Sequence, residues 1–202
     1  MSANLWLIAG LGNPGSKYEQ TRHNAGFWFV EELARTAGSA LSPNKKFHGQ
    51  AVKASWQGTD VILLTPDTFM NESGQSLRAA MDFYRIPASQ VLVAHDELDL
   101  MPGIVRLKKG GGHGGHNGLR SSFSHLGTPD FWRLRIGIGH PGLASQVTPW
   151  VLSRAQLEDQ RLIDDSIGRA VAVMPDFLNQ RSGEAMKVLH AKAKPADDTP
   201  AD

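Results

Sequence analysis

The sequence predicts an α/β fold: one domain in which a twisted, mixed and largely parallel β-sheet is flanked by helices. Two observations carry this expectation. Short apolar runs of strand length, Asn4–Gly10 and Gln90–His95, are each followed by turn-forming or polar residues. Between them lie longer stretches whose apolar residues recur at helical spacing. With 202 residues, the chain is long enough to build such a domain without a disulfide or metal staple.

The elements follow in order. Residues 4–10 form a buried strand, and Leu11 to Tyr18 are rich in turn formers. From Thr21, Phe27, Val30, Ala34 and Ala37 share one helical face, with Gly38 as the cap. Strands are expected at 47–56 and 59–65, joined at Gln57-Gly58. Leu77, Ala80, Met81 and Tyr84 mark a helix over 73–84. Further strands are expected at 90–95, 104–108 and 132–139, with a short helix from Asn117 to Leu126. Beyond Pro149 the chain reads helical: Ile163, Ile167, Ala170, Val171 and Met174 lie on one face, and a last helix runs near 176–190. Residues 1–190 thus make the domain, and 191–202, with Pro195 and Pro200, form an expected disordered tail.

Composition excludes several classes. The content of 41% hydrophobic and 20% charged residues is globular, not disordered. The absence of cysteine removes a thiol nucleophile and any thiolate metal site. The net charge of +1 excludes a globally basic coat. No apolar run approaches the ~20 residues of a membrane helix, and no leader pattern is present. A cytoplasmic protein that makes no membrane contact is the expectation.

Gly10-Leu-Gly12-Asn-Pro-Gly15 spells GxGxxG after a strand, but its context fails for a dinucleotide. Pro14 removes an amide from the loop that would cradle a pyrophosphate. The acids some 20 residues on, Glu31 and Glu32, fall inside a helix and not at a strand end. No nicotinamide or flavin cofactor is expected.

Chemistry-bearing residues collect in Gly12–Gly15, Thr21–Asn24, Phe69–Gly74 and His95–Asp99. Each lies just past a strand or at a helix mouth, where sites form in α/β sheets. There is no Gly-x-Ser-x-Gly elbow and no HExxH, and His113-x-x-His116 alone is a weak metal signal. His23 with Asp96 can pair as base and orienter to activate water. Asn13, Asn71 and Asn117 carry N–H donors able to bind a carbonyl and then an oxyanion. That set suits hydrolysis of an activated acyl bond without a covalent intermediate. Plainer readings exist: Asn71 as a helix N-cap, Asp96 as an orienter of its own loop, Gly110–Gly118 as a connector.

Between Ile104 and Arg135 stand Arg106, Lys108, Lys109, Arg120, Arg133 and Arg135 against the single acid Asp130. Such a basic stripe in a near-neutral chain points to a polyanion, and a nucleic-acid substrate has use for it.

Taken together, Gly12-Asn13-Pro14-Gly15-x-x-Tyr18-x-x-Thr21-Arg22-His23-Asn24, Phe69-Met70-Asn71-x-Ser73-Gly74, His95-Asp96-Glu97-Leu98-Asp99, His113-Gly-Gly-His116-Asn117-Gly118 and Arg133-Leu-Arg135-Ile-Gly-Ile-Gly139 closely resemble bacterial-type peptidyl-tRNA hydrolase over roughly residues 4–190. The resemblance implies a phosphorylase/hydrolase-like fold and a monomer that needs no cofactor or metal. It implies cleavage of the ester between a peptide and the 3′ ribose of tRNA, which recycles tRNA. It implies His23 as catalytic base, Asp96 as its hydrogen-bond partner, and Asn13, Asn71 and Asn117 at the peptidyl end and the water. Tyr18, Met70 and His116 line the same cleft. Lys108 and Arg135 match a clamp for the tRNA 5′ phosphate, with Arg133 the alternative to Arg135. Leu143–Val151 corresponds to a mobile lid. On the expected mechanism, neutral His23 takes a proton from water, and Asn117 or Asn71 steadies the water and oxyanion. A non-catalytic RNA-binding relative of the same fold is the competing reading.

Overall fold

A computed structural model describes residues 4–191. Residues 1–3 and 192–202 lie outside the described residues, and the expectation of a disordered tail falls there almost entirely. Seven strands form one sheet: β1 Leu5–Gly10, β2 Ser42–Asn44, β3 Gly49–Trp56, β4 Thr59–Pro66, β5 Val91–Glu97, β6 Val105–Lys109 and β7 Trp132–Gly137. Their order is β2-β3-β4-β1-β5-β7-β6. The inner strands β4, β1, β5 and β7 run parallel, while β2–β3, β3–β4 and β6–β7 pair antiparallel. Parallel central strands are buried on both faces, which explains why β1 is apolar throughout.

Six α-helices accompany the sheet: α1 Ala25–Thr36, α2 Ser73–Tyr84, α3 Asn117–Leu126, α4 Val147–Val151, α5 Leu157–Leu178 and α6 Ser182–His190. One core joins α1, α5 and α6 to one sheet face through Ile8, Phe29, Leu134 and Met174. A second joins α2 and α3 to the other through Leu7, Val93, Leu77 and Leu119.

Most expected elements are present. The Gln57-Gly58 turn has φ of 46° and 86°, the twist a two-residue hairpin loop needs. Three expectations change. The helix expected from Thr21 begins as a 3₁₀ turn, Arg22–Asn24, and becomes α-helical at Ala25. Its buried face is Ala25, Phe29, Val30, Leu33 and Ala34, while Phe27 and Ala37 are half-buried. The reason is Gly26, whose backbone sits against β1 and β5: a β-carbon there would stand 2.3 Å from the Ala94 carbonyl oxygen. This contact rotates α1, and only glycine allows it. At the C-terminal side, α5 runs to Leu178, and the chain breaks at Asn179–Arg181 before α6. The exposed three-residue edge strand β2, containing Pro43, has no periodicity to announce it.

Among the described residues no helix is long and apolar enough to cross a membrane.

Candidate active site

The close seat of α1 on the sheet brings His23, in the 3₁₀ turn before α1, to Asp96 near the carboxyl end of β5. The glycine-rich segment before α3 brings His116 to the other side of the same carboxylate. His23 Nδ1 lies 2.9 and 3.0 Å from the two Asp96 oxygens. His116 Nε2 lies 2.8 Å from Asp96 Oδ1. His116 is also the N-cap of α3: its Nδ1 accepts from the Gly118 and Leu119 amides. An acceptor at Nδ1 leaves the ring proton on Nε2, so His116 donates to Asp96. His23 likewise donates Nδ1–H to the carboxylate. Its Nε2 makes no hydrogen bond among the described residues, and the ring borders the cleft.

The charges agree with this pattern. Burial opposes the charge of Asp96, but the two imidazoles outweigh burial and hold its pKa well below the usual carboxylate range. Burial also works against a charged His23, and the charge and hydrogen bond of Asp96 overcome it, raising the His23 pKa above 6.5. His95 is different. Burial, followed by the neighbouring His116, pushes it down to about 3, and its Nδ1–H donates to the Asp96 carbonyl at 2.8 Å. It is a neutral wedge behind the carboxylate, with its other nitrogen buried and unpaired.

His23, Asp96 and His116 are the one metal-like grouping of ligand atoms among the described residues. They do not fit a cation well. His116 Nε2 carries the proton, and moving it to Nδ1 would cost the hydrogen bonds that Nδ1 accepts from two backbone amides at the start of α3.

The cleft has a volume of about 630 Å³ and is bordered by His23, Asp96, Lys108, Asn117, Arg135 and Val151 among others. Asn117 is exposed within it, and its carboxamide oxygen accepts from Arg120 at 3.2 Å, so the NH₂ group is left free. Asn13, Tyr18, Met70 and Asn71 do not border this cavity. Asn13 is buried, and its oxygen accepts from the Met70 amide at 2.8 Å, while its NH₂ makes no hydrogen bond among the described residues. Met70 supports the site from below, since a β-carbon at Gly118 would meet its sulfur at 2.5 Å. Tyr18 is half-buried and meets exposed Phe69 edge-on at 6.3 Å. Asn71 is exposed, and the N-cap of α2 is Glu72 rather than Asn71.

The basic stripe is divided in the fold. Arg133 is buried, its guanidinium donates to the Gly111 and Gly112 carbonyls, and it stacks on Phe123 and Phe131. It braces the glycine-rich segment and is not free for a ligand. Arg135 faces the cleft with Nε on Glu97 at 2.9 Å. Arg106 is turned to the Leu189 carbonyl. Lys108 is exposed at the cleft and makes no ion pair among the described residues.

The sequence reading missed Asn24 as a functional residue. It is buried, and its carboxamide clasps the Asn13 backbone, accepting from N–H at 2.9 Å and donating to C=O at 3.0 Å. Its place between His23 and the small pair Ala25-Gly26 was the available signal.

Comparison with known proteins decides the family. The sequence profile of the family described as peptidyl-tRNA hydrolase matches residues 7–197. The chain belongs to the peptidyl-tRNA hydrolase family. A peptidyl-tRNA hydrolase of Marinobacter nauticus is 52% identical over 191 residues, 95% of this chain and 97% of that protein. One from Pseudomonas entomophila is 55% identical, covering 92% and 96%. Among solved structures, a peptidyl-tRNA hydrolase of Acinetobacter baumannii superposes with a TM-score of 0.90 at 50% identity, covering 94% and 96%. A peptidyl-tRNA hydrolase complexed with N-propanol gives 0.91 at 51%, covering 97% and 98%. The seven-stranded mixed sheet is therefore the architecture of peptidyl-tRNA hydrolase, and the chain is an enzyme that hydrolyses peptidyl-tRNA. The reading as a non-catalytic relative is set aside.

Proposed function

We propose that hydrolysis proceeds by direct attack of water, with His23 as general base and Asp96 fixing its tautomer. The observation that carries this reading is the state of the ring nitrogens. His116 has both engaged, and His95 is sealed from solvent at its unpaired nitrogen. His113 and His140 also border the cleft, but each accepts a backbone amide at Nδ1, from Gly115 and Gly142, so apart from the sealed His95, His23 is the cleft histidine whose lone pair is unengaged. Its Nε2 takes the proton as water adds to the ester carbonyl. The C–O bond to the ribose then breaks, and the imidazolium returns the proton to the leaving oxygen. The free NH₂ of Asn117 serves the water and the developing oxyanion. Asn13 is pre-set for the peptidyl end, and Tyr18, Met70, Asn71 and His116 frame or support the same region.

Lys108 and Arg135 are assigned to the 5′ phosphate of the acceptor end. Glu97 holds Arg135 by Nε alone, which leaves the two terminal nitrogens for an anion. The account needs no cofactor or metal, and no residue from a second subunit, so we read the enzyme as a monomer. Its substrate arises in translation, which supports a cytoplasmic location.

The pH profile tests the base. A base must be neutral to act, and Asp96 raises the pKa of His23, so kcat/KM should rise with pH through an apparent value above about 6.5. A flat profile between about pH 5 and 8 would remove an imidazole from this role. The clamp is tested by Lys108→Ala. KM for full-length substrate should rise roughly tenfold, as expected for one lost charge-assisted phosphate contact. A short substrate lacking the 5′ phosphate should be hardly affected. Equal losses on both substrates would exclude the clamp.

A further inference from the structure

Arg22 is 2% exposed; its side-chain hydrogen bonds all go to one segment of chain, and Asp159 of α5 lies 4.0 Å from its guanidinium. Its backbone N–H donates to the Ser153 carbonyl at 3.0 Å. Its guanidinium donates to Ser153 Oγ at 2.8 Å and the Arg154 carbonyl at 2.7 Å. It also lies over the Trp150 ring, 3.7 Å from the centroid. Trp150 in turn donates Nε1–H to the Gly139 carbonyl at 3.0 Å, closing the chain from 139 to 150 into a loop. The inner side of this loop covers the cleft with Ala144, Val147 and Thr148, while its tip, Leu143, is 61% exposed. Among the described residues, the hydrogen bonds made by 140–149 stay within 140–152. By hydrogen bonds the loop is therefore tethered at its stem, and within the loop Val147 also packs against the core.

We propose that Arg22 is a positioning residue that fixes the height of this cover over the cleft through Trp150. The guanidinium grips the stem from below, and the next residue in the chain is His23. The cover and the base thus share one anchor. Loosening that anchor frees the cover and weakens the hold on the bound ester end, while the His23–Asp96 pair stays intact. This inference rests on the reading that the cleft at His23 is where the ester binds. It makes no use of which group removes the proton.

Arg22→Lys keeps the cation and loses the fork; Trp150→Phe keeps the ring and loses the bond to Gly139. The full chain is examined by amide hydrogen exchange over 140–149 and by steady-state kinetics. Both variants should exchange there about tenfold faster than wild type, a local and not global opening. KM for peptidyl-tRNA should rise about fivefold, with kcat and the pH profile close to wild type. Unchanged exchange and KM in a folded variant would overturn the proposal. So would a loss confined to kcat with a displaced pH profile, because Arg22 would then act through His23. If Arg22→Lys does not fold, Trp150→Phe decides by the same readings. Failure of the base assignment shows separately, as full activity in a His23 variant.

Discussion

His23→Ala lowers kcat by about 10²–10⁴-fold and leaves tRNA affinity within about twofold, as loss of a general base without loss of phosphate contacts requires. The geometry makes the effect large. The other imidazoles of the cleft are committed: His116 donates to Asp96 and accepts two amides, His95 is held neutral behind the carboxylate with its free nitrogen buried, and His113 and His140 each accept a backbone amide at Nδ1. The remaining rate comes from the carboxamide donors and from placement of the ester. Affinity survives because the assigned phosphate contacts, Lys108 and Arg135, sit on β6 and β7. Release of free tRNA from N-blocked aminoacyl-tRNA gives kcat, and filter binding gives the affinity. Near-normal turnover would take the base role from His23.

Asp96→Asn should fall in the same range, about 10²–10⁴-fold, because an amide in this position sets the wrong tautomer. The structure shows a carboxylate accepting from two imidazoles. A carboxamide has one acceptor oxygen and one donor nitrogen. The Nδ1 of His116 is committed to backbone amides, so its Nε2–H claims the oxygen. The NH₂ then faces His23 Nδ1, and the ring proton moves to Nε2, where the lone pair was needed. The sign of the pH effect follows as well. The carboxylate raises the His23 pKa, so its removal lowers the apparent value in whatever activity remains. Thermal unfolding of the variant separates this from loss of fold.

Much of the fold was legible because its elements are periodic. β1 and β5 stand out as short apolar runs, and α2 follows from a stripe at helical spacing. The rotation of α1 did not, because it is set by backbone contact at Gly26 with β5, which no local pattern encodes. Of the site, the residue types and the His23–Asp96 pairing could be read from the segments. The second imidazole on Asp96 could not, because it depends on how the glycine-rich segment folds back on β5. The charge count, which pointed to a polyanion, did not show which bases are free, for a similar reason. It ran along one stretch of chain, whereas Glu97, the partner of Arg135, arrives from a neighbouring strand. Arg133 looked equivalent to Arg135 two residues on, yet one braces a loop and the other faces the cleft.

The central claim is that Asp96 acts through His23. A double-mutant cycle tests it most directly: kcat for His23→Ala, Asp96→Asn and the double variant on one N-blocked aminoacyl-tRNA. The account predicts that the double variant is no slower than His23→Ala alone, because a tautomer has no meaning without the ring. Losses that multiply in the double variant would show two independent contributions and contradict the account.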